Sequence, residues 1–209
     1  MVFITRYYKN VKLEKVLRGL CLLGFCLLAA LVRAQNATDI SQFQVERIDD
    51  EIALSAQLDF ELPAAVEDAL LKGIPLFFVT ELDLLRERWY WYDKKLSTLA
   101  RHVRLTYQPL TRRWRIVVTT GTGDGGRLGL TLNQSFNTLP QALMGIKRVS
   151  RWKVADVSEL DAKLKYRVEF RFRLDLNQLP RPFQIGAIGQ SDWNIAATTS
   201  APLPSISIK

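Results

Sequence analysis

Two stretches of the chain alternate apolar and polar residues with a period of two. From Ile52 to Leu62 the apolar set is Ile52, Leu54, Ala56, Leu58, Phe60 and Leu62, with Ala53, Ser55, Gln57, Asp59 and Glu61 between them. From Tyr166 to Leu176 it is Tyr166, Val168, Phe170, Phe172, Leu174 and Leu176, set against Arg167, Glu169, Arg171, Arg173 and Asp175. Alternation over so many residues predicts strands with one buried and one solvated face. Solvated faces point to antiparallel sheets rather than a parallel sheet covered on both sides. Shorter strands are predicted at Phe43–Ile48, Leu76–Leu84, Trp89–Tyr92, Val103–Tyr107 and Trp114–Thr120, with a hairpin loop between Tyr107 and Trp114 around Pro109.

Two helices are predicted, each opened by Leu-Pro, because proline suits the first helical position. The first spans Pro63–Lys72 and stops at Gly73 and Pro75; the second spans Pro140 to about Arg151, with Leu139, Ala142, Leu143, Ile146 and Val149 forming its apolar stripe. A hairpin, a helix and further strands occur in that order twice, so residues 43–110 and 111–180 read as a pseudo-repeat; a third Leu-Pro, at Leu179-Pro180, shows that chance also places this dipeptide. Residues 197–209, rich in Ser, Thr, Ala and Pro, read as a disordered tail. The expected fold is α+β and β-dominated, with sandwich-like antiparallel sheets and two short helices in one domain over residues 35–196.

Charge changes the picture only at the N-terminus. The formal net charge is +8, but residues 1–34 carry a net +5, from Arg6, Lys9, Lys12, Lys15, Arg18 and Arg33 against Glu14. The apolar run Leu20–Val32 follows, then Val32-Arg33-Ala34 before Gln35. This is the layout of a cleaved export signal. Thirteen helical residues span about 20 Å, short of the roughly 30 Å of bilayer hydrocarbon. The expected location is the periplasm; an uncleaved inner-membrane anchor is the alternative. Cys21 and Cys26 both lie in this segment, so a mature chain has no thiol and no disulfide. No cofactor is expected, and nucleic acid is not an expected partner outside the cytoplasm.

Gly121, Gly123 and Gly126 spell G-x-G-x-x-G after the strand "RWRIVV". A dinucleotide fingerprint needs a helix next. Here "RLGLTLNQSF" alternates instead, so the loop reads as the tip of a hairpin. His102 is the sole histidine and has no nucleophile motif beside it. Asp49, Asp50 and Glu51, with Glu81 and Asp83, are the carboxylates from which a hydrolase could draw a pair; turn chemistry and a solvated strand face are the favoured account of them.

Two features suit recognition. "ERWYWYDKK" places Trp89 and Trp91 on one face of a predicted strand and Tyr90 and Tyr92 on the other, for burial on both sides or for contact with a sugar, lipid or protein. Lys163, Lys165, Arg167, Arg171 and Arg173 share a parity on the best strand, and Arg113 and Arg115 could extend the set. Such a ladder attracts anions, or pairs across strands with carboxylates such as Asp59 and Glu61.

The segments "DDEIALSAQLDFELPAAVEDALLKGIPLFFVTELDL", "RWYWYDKK", "RLTYQPLTRRWRI", "FNTLPQAL" and "YRVEFRFRLDLNQLPRPFQI" resemble a family of exported Gram-negative proteins classed as a domain of unknown function. Some members are labelled proline-rich signal peptide protein. The resemblance covers roughly residues 40–196 and implies an accessory role near an envelope sensor, since the family is often encoded beside a membrane histidine kinase of the nitrogen-regulation type. It supplies no catalytic or binding residues. The expectation is a non-enzymatic periplasmic binding or accessory module that contacts a sensor kinase, another envelope protein or an anionic lipid. A carboxylate-dependent envelope hydrolase is the alternative.

Overall fold

The computed structural model describes residues 38–90, 92–122, 128–187 and 189–204. The export segment 1–34 with its cysteines, Trp91, Gly123, Gly126 and the last residues of the chain lie outside them. Nine strands form two antiparallel sheets. In chain order the elements are β1 (Asp39–Ile48), β2 (Glu51–Asp59), α1 (Ala64–Leu71), β3 (Leu76–Arg86), β4 (Lys94–Gln108), β5 (Arg113–Thr122), β6 (Leu128–Phe136), α2 (Leu139–Lys147), β7 (Arg148–Asp156), β8 (Tyr166–Leu174), α3 (Arg181–Ala187) and β9 (Ala196–Pro202). The smaller sheet has the order β1-β2-β7 and the larger β6-β5-β4-β3-β8-β9.

The two long alternating stretches become β2 and β8 and face each other. Ile52, Leu54, Ala56 and Leu58 of β2 are buried together with Val168, Phe170 and Phe172 of β8 and Phe78 and Leu82 of β3. Phe43 of β1 meets Phe170 edge-on at 5.8 Å, and Phe60 packs 5.2 Å from Phe172. Phe78 and Phe172, on neighbouring strands, stack at 5.7 Å with their planes 4° apart. The core is therefore the layer between the sheets, as in a sandwich. Because side chains alternate, Glu81, Asp83, Arg167, Glu169, Arg171 and Arg173 fall on the opposite, outer face of the large sheet.

The Leu-Pro pairs at Leu62, Leu139 and Leu179 introduce helices, whereas a fourth, Leu203-Pro204, follows β9. The carbonyl of Pro63 accepts from Val66 and Glu67, and that of Pro180 from Phe183 and Gln184. Gly73 ends α1 at a φ of +85°, and the Ile74 N–H returns to the Ala69 carbonyl. The second helix stops at Lys147 rather than near Arg151, because Arg148 and Val149 already pair with Gln57 and Ala56 of β2. Arg101, reaching from β4, donates to the carbonyls of Gly145 and Arg148 at this helix end, where a cation complements the helix dipole. The order hairpin, helix, strands recurs in the two halves, but the first hairpin lies in the small sheet and the second in the large one.

Three further expectations are corrected. Trp89, Tyr90 and Tyr92 are not in a strand: they lie in the connection between β3 and β4. The stretch read as a disordered tail from residue 197 contains β9, paired with β8 from Arg173↔Ala196 to Arg167↔Pro202. Strand β4 begins nine residues before Val103, at Lys94.

The glycine-rich stretch joins two antiparallel strands, β5 and β6, with Gly121 opposite Leu128 after a bulge. No helix follows its glycines, which removes the nucleotide-binding turn. At Gly129 a Cβ would stand 2.0 Å from the Thr120 carbonyl oxygen, whereas at Gly145 of α2 it would make an ordinary contact at 3.5 Å with Phe136. Gly129→Ala should therefore cost about 1–3 kcal/mol by forced displacement of backbone. Gly145→Ala should be neutral or stabilise by up to about 1 kcal/mol. Denaturant unfolding of the two variants checks the contrast, and equal effects would contradict this packing.

Candidate functional site

The outer face of the large sheet carries a network centred on Asp83. This residue is only 1% exposed although it lies on the outer face. Its Oδ2 accepts from Arg171 Nη2 at 2.5 Å and pairs with Lys95 Nζ at 2.8 Å, while Oδ1 accepts from the Thr98 hydroxyl at 2.5 Å. Arg171 also reaches Glu169 at 3.0 Å and Glu81 at 3.3 Å, and Arg173 holds the other Glu81 oxygen at 3.0 Å. Burial alone would raise the Asp83 pKa, but the hydrogen bonds from Lys95 and Thr98 and the charge of Arg171 outweigh it and hold the carboxyl below its usual range. Burial alone would lower Arg171, and the Asp83 and Glu169 carboxylates reverse that too.

This arrangement divides the sequence-predicted basic ladder. Arg167, Arg171 and Arg173 lie on β8, each bound to carboxylates, Arg167 to Asp93 at 2.5 Å. Their partners are Asp93, Glu81, Asp83 and Glu169 rather than Asp59 and Glu61; Asp59 belongs to the other sheet and accepts from Ser41. Lys163 and Lys165 precede β8 and are exposed in the turn before it. Arg113 and Arg115 lie on β5, separated from β8 by β4 and β3, so they do not extend the ladder.

The candidate carboxylates fall into two groups, one with each sheet. Asp49 and Asp50 sit in the β1–β2 turn, and Glu51 binds Lys153 at 2.7 Å, on the small sheet. Glu81 and Asp83 face away from that sheet and are held by arginines. Among the described residues, no three acidic or histidine side chains converge as metal ligands would. His102 is exposed on β4.

The aromatic cluster is where sequence and structure differ most. Trp89 is 84% exposed, Tyr90 70% and Tyr92 96%. They crown the β3–β4 connection, with the rings of Trp89 and Tyr90 in contact. The base of this loop is pinned twice: the Glu87 N–H donates to the Lys165 carbonyl at 3.0 Å, and Arg167 grips Asp93. The pinning brings the Lys163–Lys165 turn beside the aromatic loop. Arg88, Lys94, Lys163 and Lys165 are exposed there and form no ion pair among the described residues. Sequence reasoning had named Lys163, Lys165 and the aromatics but missed Arg88 and Lys94. The signal was in the same stretch, since a charged residue on each side of "WYWY" marks the ends of a loop. Nearby, between β7 and the starting half of β4, a cleft of about 660 Å³ opens, lined by Leu84, Leu96, Leu99, Trp152, Val154 and Leu160.

Replacing Asp83 tests the network. Asp83→Asn should cost about 3 kcal/mol at neutral pH, because it leaves cationic partners without their countercharge. The folded-state pKa lies below the unfolded value. The stabilisation is therefore complete above the unfolded value near pH ~4 and fades as pH falls through the folded value. Unfolding curves of the two proteins should converge in acid and differ at pH 7; a constant difference across that range would contradict the assignment.

No curated protein and no solved structure matches the chain. A family described as a domain of unknown function (DUF4390) matches residues 35–201, which takes in the described strands and helices apart from the last residue of β9. That span is most of the chain, and the protein belongs to this family.

Proposed function

We propose that the chain is a non-enzymatic binding or accessory module of the cell envelope, and that it works through the cationic, aromatic end of its large sheet. The observation that carries this reading is the juxtaposition of Trp89, Tyr90 and Tyr92, largely exposed, with four cations that have no acidic partner among the described residues. Exposed aromatic side chains are costly to leave in water and are enriched where a protein meets a partner. The arginines of β8 serve the sheet instead, so the site moves from the strand to its end. The apolar run Leu20–Val32 with Val32-Arg33-Ala34 supports export to the periplasm. An envelope protein, a membrane sensor kinase among them, or an anionic lipid is the class of partner that this surface suits.

In the chain from Gln35 onward, free of the basic N-terminal segment, Arg88→Ser, Lys94→Ser, Lys163→Ser and Lys165→Ser together should abolish retention on a heparin matrix at physiological salt while leaving the thermal midpoint unchanged. Arg171→Ser should lower the midpoint by several degrees and leave retention nearly intact, because its charge is already neutralised by its neighbours. Retention that survives the fourfold replacement would overturn the choice of surface. Intact mass of protein recovered from the periplasm should correspond to a chain beginning at Gln35; a mass that includes residue 1 would instead support the anchored form.

A further inference from the structure

Resting on that reading of the contact surface, we infer that the occupant of the β3–β4 tip is an anionic phospholipid bilayer, entered by the Trp89 and Tyr90 rings while the surrounding cations meet lipid phosphates. Three observations converge. First, none of Trp89, Tyr90 and Tyr92 is less than 70% exposed, and none of them lines the neighbouring recess of about 580 Å³, whose walls include Glu87, Lys163 and Lys165. A protein-binding anchor commonly sits within a broad apolar patch, whereas here the neighbours are Arg88, Glu87, Asp93 and Lys94. Second, the residue types are those of a membrane–water interface. Trp and Tyr each carry an apolar body and a polar group and reside at headgroup level. The long stems of Lys and Arg let a charge reach phosphate while the methylenes stay with the apolar layer.

Third, the charge is complementary and asymmetric. Residues Arg86–Lys95 and Asp161–Arg167, joined by the Glu87–Lys165 hydrogen bond, contain seven cations and three carboxylates. Two of those cations, Lys95 and Arg167, are used internally. Of the other five, Arg86 ends β3, and Arg88, Lys94, Lys163 and Lys165 lie around the aromatic loop, where cations gain from the negative potential of a lipid surface. The Arg167–Asp93 clamp and the hydrogen bond to Glu87 tie the loop to the rigid sheet, so both rings are presented from a fixed base.

The full chain, incubated with phosphatidylglycerol vesicles carrying brominated acyl chains, should lose part of its tryptophan emission. Trp89→Phe should shrink the quenched fraction, and the fourfold serine variant should shrink it to a similar extent. Because the comparison is between variants, the N-terminal apolar segment contributes equally to each. Quenching that is the same in wild type, Trp89→Phe and the serine variant would overturn the inference. A second measurement separates it from the broader reading. With Tyr90→p-benzoylphenylalanine, illumination of intact cells should yield an adduct with the mass of a phospholipid. A protein adduct alone would overturn the lipid inference and leave the contact surface standing, and no adduct of either kind would overturn both.

Discussion

The register between β3 and β8 is the constraint on which the rest depends. In that register Phe78, Thr80, Leu82 and Leu84 stand beside Leu174, Phe172, Phe170 and Val168 on the core face, and Glu81 and Asp83 beside Arg171 and Glu169 on the other. A slip by one residue would turn every side chain over, burying arginines among phenylalanines and exposing the stacked rings of Phe78 and Phe172. The hydrophobic layer and the ion network thus enforce the same alignment from opposite faces. Since Asp83 is covered by Arg171, Lys95 and Thr98, it also links three neighbouring strands, β4, β3 and β8. Such a link favours one alignment over its competitors even where the net stabilisation of a buried charge is modest.

That alignment also decides which cations are available to a partner. A row of basic residues along one strand resembles a binding surface when neighbouring strands are unknown. Once β3 is placed beside β8, Arg171 and Arg173 are neutralised by carboxylates whose parity on β3 matches theirs. Charges that lie beyond the paired strands have no such neighbour. Lys163 and Lys165, in the turn before β8, and Arg88 and Lys94, at the ends of the β3–β4 loop, are left for solvent or for another molecule.

The elements most legible in the sequence were those in which burial and periodicity agree. Strands β2 and β8 alternate cleanly because each has one core face, and α1 is bounded by Pro63 and Gly73. The first part of β4 was hidden because "KKLST" precedes the described pairing with β5, which starts at Leu99, and Leu96 is exposed, so no apolar alternation marks it. Strand β9 was hidden for another reason: Ala, Thr and Ser cover β8 through main-chain pairing, which composition does not reveal. "RWYWY" has strong strand propensity, yet Trp89, Tyr90 and Tyr92 are exposed and outside any strand, a case of tertiary context overriding preference. The candidate site was accordingly half legible. Its residue types stood out, but which cations were free depended on contacts between distant segments.

Strand β9 has a consequence of its own. It contributes few large side chains, and yet its backbone occupies every hydrogen-bonding position along the free margin of β8 from Arg167 to Arg173. Its loss, by trimming or local fraying, would lay open a flat row of unsatisfied amides next to Phe170 and Phe172, the kind of margin on which other chains assemble into aggregates. A low-hydrophobicity segment thus works as a seal, protecting the solubility of a sheet to whose core it adds little.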